Sequence, residues 1–268
     1  MTILLPDTRP ADLLALGLER AGATVERHPE GALLPRLLGG EADLVLVPPL
    51  PVLRKVEDVT VLPAVALSAW DYPYARLFMR GDLGAGLQSV VFDPRHAQEV
   101  IVARAVLREH YGFTPSFVPA EAPTRDVLGQ YDAVLLVGDR VPTMAHDGLS
   151  LDLGQEWYEL SNYPLLLGLF AARHGEATVE MLHTLRRGAR LAEDLRPAWL
   201  QAHEMPPGLY EFHAESLRFR YDDLATAGLT EFIELLFEQG VLEEAPTLPL
   251  ATFPDEAFED DEEERPLM

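Results

Sequence analysis

The residues best placed to do chemistry are polar side chains in the loops that follow predicted strands. Asp139 comes shortly after the apolar run Ala133–Val137, and Arg9 lies in the turn-rich segment Pro6–Pro10. Loops at strand ends carry binding groups and turn chemistry alike. A guanidinium there can grip a carboxylate through two parallel hydrogen bonds, and a carboxylate can hold backbone donors or accept from a substrate hydroxyl. The alternatives are a solvated loop arginine and an aspartate that only caps a turn.

Two other patterns argue against common cofactors. The segment Gly81–Gly86 resembles a dinucleotide-binding loop, but it runs into the apolar stretch Val90–Phe92 instead of a helix. A phosphate site needs a helix N-terminus directly behind the glycines, so we interpret the segment as a turn. The chain has 8 histidines without a metal-binding spacing and 0 cysteines. We therefore expect no cofactor and no metal site.

The charge of the chain excludes several classes of partner. Among 268 residues, 21 are basic and 44 acidic, a formal net charge of -23. Such a surface repels nucleic acid and anionic lipid headgroups, so we expect neither as a partner. The N-terminal residues lack the pattern of a secretory signal and no apolar run reaches the ~20 residues of a membrane span. We expect a soluble, cytoplasmic protein whose residues 251–268 form a disordered acidic tail.

The elements that must position these side chains alternate between strands and helices. Short apolar runs at Thr2–Leu5, Ala23–Arg27 and Leu44–Val47 are separated by helical patterns at Ala11–Ala21 and Gly31–Gly39. This alternation is typical of an open, mostly parallel α/β sheet. Further along, the sequence predicts a second set of strands and, among other helices, one over Gln98–Tyr111 and an apolar one over Tyr163–Arg173.

Two phrases in the sequence resemble known families. Residues 37–48, with Gly40-Glu41-x-Asp43-Leu44, are similar to a phrase common in periplasmic-type solute-binding proteins. Residues 132–139 read DAVLLVGD and are followed by Leu151-Asp152-Leu153-Gly154-x-x-Trp157 and then by Asn162-Tyr163-Pro164. That order resembles the menaquinone-biosynthesis family of the futalosine route, whose members read "LLIGD", "DLG..W" and "TGLPFVFA". From the residues alone, Asp152 is best interpreted as a helix N-cap and Trp157 as a packed side chain.

The resemblance implies a fold and an activity. The family contains chorismate dehydratase and a lyase acting on cyclic dehypoxanthinyl futalosine. Its fold is of the periplasmic-binding-protein type (type II), an α/β architecture with mixed, mostly parallel sheets in two lobes and a cleft between them. The resemblance implies that residues 1–72 plus 168–250 form one lobe and residues 73–167 the other. A small-molecule carboxylate is then expected in the cleft, at the carboxyl ends of strands. The oligomeric state stays open.

Several positions depart from the family pattern. Where the family has an Asn-Pro pair in the first strand–helix loop, this chain has Asp7-Thr8-Arg9-Pro10. Where the family reads S-x-G-x-V-x-S, this chain keeps Ser68 but carries Trp70 and Tyr74. Where a family helix begins S-x-T-S, the matching residues are His96, Gln98 and Glu99. Hydroxyls at a helix N-terminus suit a carboxylate. Glu99 brings a negative charge there, which would repel a carboxylate unless its side chain points away, and Arg95 and His96 would compensate in part.

Two hypotheses follow. In the first, the protein is a divergent chorismate dehydratase that removes water from chorismate to give 3-[(1-carboxyvinyl)oxy]benzoate. In the second, it is a non-catalytic binding protein for a small aromatic or carboxylate ligand, with Trp70, Tyr72 and Tyr74 forming an aromatic pocket. Fold alone does not separate them. We expect His96 and Asp139 to be catalytic, and the substrate to be contacted by Arg9, Ser68, Trp70, Tyr74, Gln98 and Glu99.

Overall fold

Eleven strands form two sheets in the computed structural model, which describes residues 1–82, 84 and 86–258. The first sheet has the order β11-β4-β10-β3-β1-β2, and the second has the order β7-β6-β8-β5-β9. The strands are β1 (Thr2–Pro6), β2 (Thr24–His28), β3 (Leu44–Val47), β4 (Val59–Ala69), β5 (Ala75–Met79), β6 (Ser89–Phe92), β7 (Ser116–Pro119), β8 (Ala133–Val137), β9 (Ser150–Asp152), β10 (Leu165–Arg173) and β11 (Arg218–Phe219).

Helices cover both sheets. They are α1 (Asp12–Arg20), α2 (Glu30–Leu38), α3 (Pro49–Leu53), α4 (Ala97–Ala105), α5 (Leu153–Ser161), α6 (Val179–Ala202), α7 (Pro207–Glu211) and α8 (Asp223–Glu238). Two helices continue as π-helical turns, α4 over Val106–His110 and α7 over Phe212–Ser216. Within the described ranges, none of these helices combines the length and apolar composition that a membrane span requires.

The pairing of the strands is mixed. Four neighbouring pairs are parallel, β1–β2, β1–β3, β6–β7 and β6–β8. The other five pairs named among the described strands are antiparallel. The α/β class is confirmed, with more antiparallel pairing than the strand–helix alternation indicates. The reason is that β4, β5 and β10 adjoin the segments where the chain passes from one sheet to the other, and each returns antiparallel to its neighbour.

The register brings the loops of interest to facing edges. Leu169 pairs with Val47 and Leu165 with Ala69, so the start of β10 lies at the same edge as the ends of β1 to β4. In the second sheet Ala75 pairs with Val137, so the start of β5 lies beside the end of β8. We call the region where these two edges face each other the junction. It is the usual ligand position in folds of this kind.

Two segments carry the chain across the junction, residues 70–74 and α5 with its flanks. Asp152 ties them together, because its carboxylate accepts the Tyr72 N–H at 2.6 Å. The same oxygen caps α5 by accepting from Gly154 and Gln155, which confirms the N-cap interpretation. A Cβ on Gly154 would lie 2.5 Å from the backbone of Asp71 and Tyr72, so only glycine fits there.

One predicted helix is wrong. Residues 163–173 were predicted as an apolar helix, but β10 occupies Leu165–Arg173, and it begins three residues before the predicted return to the first lobe at residue 168. Its leucines and alanines favour helix intrinsically. However, Asn162 adopts a left-handed conformation (φ 63°) that ends α5, and β10 is hydrogen-bonded on both sides, to β3 and β4. Burial within a sheet overrides the local preference.

The predicted tail is ordered over its first part. Val61 donates to Pro249 O at 2.7 Å and accepts from Ala251 N at 2.8 Å, so the chain adds to the edge of β4. Asp255–Phe258 form a 3-10 turn whose Ala257 carbonyl accepts from His183 at 3.0 Å. The expectation of disorder from residue 251 is therefore wrong for residues 251–258. Residues 259–268, with most of the acidic run, lie outside the described residues, as do Leu83 and Ala85 of the glycine-rich segment.

Candidate ligand site at the junction

Arg9 and Asp139 meet across the junction. The Arg9 backbone N–H donates to Asp139 Oδ1 at 3.0 Å, although 130 residues separate them. Arg9 begins a short 3-10 turn after β1, and Asp139 follows Gly138, whose φ of 128° favours glycine. Both side chains are exposed. In the described part of the chain, the Arg9 guanidinium has no hydrogen bond or ion pair, so it is free to bind an anion.

Arg27 anchors the loop that carries Arg9. Arg27 donates to the Thr8 carbonyl and to the Asp12 carboxylate, both at 2.7 Å. Burial raises the pKa of Asp12, while the nearby Arg27 charge opposes that shift and the Asp139 charge adds to it. The charges of these residues therefore act on one another within one small region. The anchor holds the loop while leaving the Arg9 side chain exposed.

Gln98 joins the two sheets. It lies in the first turn of α4 and is only 5% exposed. Its Oε1 accepts the Leu50 N–H at 3.3 Å, and its Nε2 donates to the Leu166 carbonyl at 2.8 Å. Leu50 belongs to α3 and Leu166 to β10, both packed with the first sheet. The amide expected to contact substrate is thus engaged in bonds that hold the junction closed.

Two carboxyl groups interact electrostatically at the junction, the buried Glu99 and the half-buried Glu30. Glu99 of α4 is 7% exposed, and burial raises its pKa while the His96 charge opposes the shift. Glu30 begins α2 in the other half of the molecule, and burial followed by the Glu99 charge raises its pKa to about 8. Like charges at close range disfavour double ionisation. Glu30 and Glu99 therefore disfavour each other's ionised form.

Tyr74 and His213 form a buried polar pair. The Tyr74 hydroxyl lies 2.8 Å from His213 Nε2, and the two side chains are 1% and 2% exposed. Burial, followed by the charges of Arg196 and Arg9, lowers the pKa of His213 to about 4. The pKa of Tyr74 is raised by burial and by the Asp139 charge, with Arg9 opposing. His213 is therefore neutral at physiological pH and lies in the same electrostatic environment as Arg9.

The remaining predicted residues lie nearby but in other surroundings. Ser68 is fully buried in β4, and its hydroxyl has no hydrogen-bond partner among the described residues. Trp70 packs edge-on against Tyr158 with ring centroids 5.3 Å apart, and the Arg218 guanidinium lies 5.5 Å from its ring. It faces α5 and β11, not the Tyr74–His213 pair. Of the three aromatic residues expected to form a pocket, only Tyr72 and Tyr74 lie together, with centroids 6.2 Å apart.

One group of side chains has metal-ligand character, although the sequence predicted none. Among the described residues, His110, Glu156 and Glu159 place one ligand atom each within 4.8 Å of one another. Glu156 already accepts the Tyr111 O–H at 2.8 Å, and Glu159 accepts from Gln155 at 3.2 Å. The group lies where α5 meets the π-helical turn that extends α4. We assign it no metal.

The structure adds residues to the junction that sequence reasoning missed. The rule that selected Arg9, a polar residue just after a strand of the first sheet, also applies to Glu30, which follows β2. Asp12 was hidden within a predicted helix. His213 had no signal, because the segment around it showed mixed character and its partner Tyr74 is 139 residues away.

Comparison with known structures establishes the fold. Protein AF1704 from Archaeoglobus fulgidus is similar with a TM-score of 0.64 and 16% identity, covering 90% of this chain and 98% of its own. A ligand-binding component of an ABC-type import system from Staphylococcus aureus, with zinc bound, gives 0.64 and 11%, covering 92% and 94%. A Candida albicans protein described as having the generic periplasmic binding protein fold gives 0.57 and 12%, covering 92% of each chain. The predicted periplasmic-binding-protein-like fold is confirmed.

Sequence comparison establishes the family. No curated protein matches the chain significantly. A family model described as "Menaquinone biosynthesis" matches residues 14–238, which include most of both sheets and every predicted site residue except Arg9. The chain belongs to the menaquinone biosynthesis family.

Proposed function

We propose that the protein is a chorismate dehydratase-like lyase, which removes water from chorismate to give 3-[(1-carboxyvinyl)oxy]benzoate in menaquinone biosynthesis by the futalosine route. Membership of the family supports a role in menaquinone biosynthesis. The observation that carries the reaction is the hydrogen bond from the Arg9 backbone to the Asp139 carboxylate, which brings these two exposed residues together at the edge where both sheets meet. We further propose that the reaction takes place in the cytoplasm.

Catalysis of this reaction depends more on orienting the substrate than on strong acids, bases or nucleophiles. One ring C–H bond and the neighbouring C–O bond break, the two carbons become doubly bonded, and water leaves. Because the ring becomes aromatic, the step is downhill. The protein has to fix two carboxylates, accept one proton from carbon and supply one to the departing hydroxyl.

The junction offers a group for each task. Arg9 is the carboxylate clamp, since a guanidinium binds a carboxylate through two parallel hydrogen bonds. Asp139 is the base, because only its Oδ1 is engaged, by the Arg9 N–H, and Oδ2 has no hydrogen bond in the described part of the chain. His96 is the acid. It flanks the start of α4, and its charge acts on Glu99.

Glu99 bears on this assignment through its protonation state. Burial raises the pKa of its carboxyl, while the His96 charge opposes that shift. In its protonated form the carboxyl repels no anion and can donate a hydrogen bond to a carboxylate oxygen, as the serine and threonine hydroxyls of the family pattern can. Ser68 supplies a further buried hydroxyl without a partner in the described structure.

A non-catalytic binding protein is the second candidate. Its supporting observation is that Gln98 stands where the family has a hydroxyl and that its amide is already hydrogen-bonded to the backbone of Leu50 and Leu166. A protein that had lost catalysis could keep the closed junction and bind a small aromatic or carboxylate ligand.

Incubation of the purified protein with chorismate tests the two candidates. We expect the enolpyruvyl benzoate to be detected by chromatography and ultraviolet absorbance, well above a control without protein. Asp139→Asn and His96→Gln are expected to lower kcat about 100-fold or more, and Arg9→Gln mainly to raise KM. A thermal shift with chorismate but no product would reject the lyase in favour of the binding protein.

A further inference from the structure

The Tyr74–His213 pair contains one hydrogen-bond donor too many for its surroundings. A neutral imidazole has one N–H and one bare nitrogen, and a phenol has one O–H. The pair makes one bond, at 2.8 Å between the hydroxyl and Nε2. His213 Nδ1 is buried and has no partner among the described residues. Whichever group donates in the bond between them, one buried donor is left without an acceptor.

The two possible tautomers leave that donor in different places. If Tyr74 donates to Nε2, the spare donor is Nδ1–H, which faces no acceptor in the described structure. If Nε2–H donates to the phenol oxygen, the spare donor is the Tyr74 O–H. Tyr74 ends the crossing segment 70–74, and its carbonyl accepts the Gly138 N–H at 2.8 Å, next to Asp139. In the second tautomer the spare donor therefore belongs to a residue at the junction, where the charges of Arg9, Asp12 and Asp139 also act on it.

The other surroundings of His213 keep the ring in place and uncharged. Arg196 donates to the His213 carbonyl and to the Leu217 carbonyl, and so fixes the π-helical turn that carries the ring. Phe212 packs edge-on against Tyr74 with centroids 5.4 Å apart. A doubly protonated ring is opposed by burial and by the charges of Arg196 and Arg9. The ring therefore carries a single proton, on one nitrogen or the other.

We propose that His213 is a positioning residue that donates from Nε2 to the Tyr74 oxygen, so that the Tyr74 O–H is presented to an anionic oxygen of a ligand bound beside Arg9. The inference rests on the proposed ligand site at the junction, and it assigns roles to Tyr74 and His213 that go beyond it. An acceptor oxygen at the junction selects the Nε2–H tautomer, because only that tautomer satisfies the spare donor. Tyr74 is then a ligand-binding residue alongside the Arg9 clamp.

The tautomer is read directly by nitrogen NMR of the full chain with ¹⁵N-labelled histidine, since protonated and unprotonated ring nitrogens resonate far apart. His213→Gln assigns the signals by their loss. Chorismate and benzoate are the probes, benzoate because it cannot be dehydrated. With either probe bound, we expect His213 to show a protonated Nε2 and an unprotonated Nδ1. A protonated Nδ1 in the bound state overturns the proposal.

Affinity measurements give an independent test. Tyr74→Phe is expected to weaken binding of the probes about tenfold, which corresponds to the loss of one hydrogen bond to a charged group. His213→Leu is expected to weaken it similarly, and His213→Gln, whose amide N–H replaces Nε2–H, to restore most of it. Thermal unfolding checks that each variant is folded. If a variant is not folded, the NMR measurement of the His213 tautomer in the unaltered protein still tests the proposal.

The outcomes separate this inference from the proposed function. If chorismate is not converted but benzoate binding depends on Tyr74 and fixes the Nε2–H tautomer, the lyase fails and the pair's role stands. If chorismate is converted and Tyr74→Phe binds both probes as tightly as the unaltered protein, the lyase stands and the pair's role fails. If neither probe binds, both fail.

Discussion

The start of α4 and the loop after β1 both carry polar side chains that could bind a ligand. At α4 these side chains are buried and bonded within the protein, whereas in the loop the side chain is exposed. At the start of α4, Gln98 is 5% exposed and Glu99 is 7% exposed, and the Gln98 amide is bonded to Leu50 and Leu166. In the loop after β1, Arg9 is exposed, and its bonds are made by the backbone: its N–H donates to Asp139 and its carbonyl accepts the Asp12 N–H. The first region holds the halves of the molecule together, and the second is open to a ligand.

This difference shows that a polar residue at a strand end or helix start has two possible uses. A buried amide without partners costs free energy, so it must be bonded within the protein or by a ligand. In this chain the protein supplies the partners of Gln98, whereas the guanidinium of Arg9 is left to solvent. Substitutions in the two regions should therefore affect stability in one case and ligand affinity in the other.

The largest expected effect is on stability, at Gln98. Gln98→Leu keeps the volume but leaves the Leu50 N–H and the Leu166 carbonyl without this partner. We expect the free energy of unfolding to fall by about 3 kcal/mol, from one or two unsatisfied buried groups. Urea denaturation measures it. Gln201→Leu, on the exposed face of α6, is the matched control and should change little.

The next effect is on binding, at Arg9. Arg9→Gln should weaken binding of chorismate or benzoate about tenfold to thirtyfold, since a bond to a charged group contributes about 2 kcal/mol. Its stability should stay within about 0.5 kcal/mol of the unaltered protein, because exposed side chains contribute little. Calorimetric titration measures the affinity, with Arg20→Gln of α1 as control. A stability loss as large as that of Gln98→Leu would contradict the contrast between the regions.

A smaller effect depends on pH, at Glu30. Because its folded pKa is raised to about 8 from 4.5, the folded state retains a proton that the unfolded state has lost, and stability declines between those pH values. Glu30→Gln removes this decline. The variant should match the unaltered protein at pH 4.5 and exceed it at pH 8.5 by about 1–2 kcal/mol, which is less than the full shift implies because Glu30 is only half-buried and partly screened by solvent. Denaturation at both pH values measures this. Glu19→Gln, an exposed position in α1, should show no such difference.

The smallest effect is expected at Glu99. If the carboxyl is protonated near neutral pH, Glu99→Gln replaces one neutral group by another of similar shape. Affinity for benzoate at pH 7 should then change less than threefold, about 0.6 kcal/mol. A gain of tenfold or more would show that Glu99 is ionised and repels the ligand. That result would place the start of α4 among the features that oppose anion binding.

The sequence predicted most of the fold because its elements carry unambiguous local patterns. The runs Leu44–Val47 and Ala133–Val137 match β3 and β8 residue for residue. Leu165–Arg173 failed because a continuous apolar run has no period that separates a helix from a strand buried on both faces. The three residues of β9 are too few to form a pattern, and β5 is their one partner among the described strands.

The site was predicted less completely because it depends on contacts between distant segments. Arg9 and Asp139 were selected by one rule about strand ends, and they do meet. Nothing in the sequence indicates that the Gln98 amide is hydrogen-bonded to the backbone of Leu50 and Leu166, or that Tyr74 contacts His213. The raised pKa of Glu99 depends on burial, which residue order does not reveal. The catalytic roles of His96 and Asp139 stay predictions.

The contact between Asp152 and Tyr72 restricts how the two halves of the molecule can move relative to each other. The two segments that cross the junction cannot move independently, because the Asp152 carboxylate accepts backbone N–H groups from both. Gly154 presses directly on Asp71 and Tyr72, so the segments cannot slide past each other without breaking that bond. Any rotation of one half against the other must pivot about this point. A rotation about this pivot would change the distance between Arg9, which follows β1, and Asp139, which follows β8.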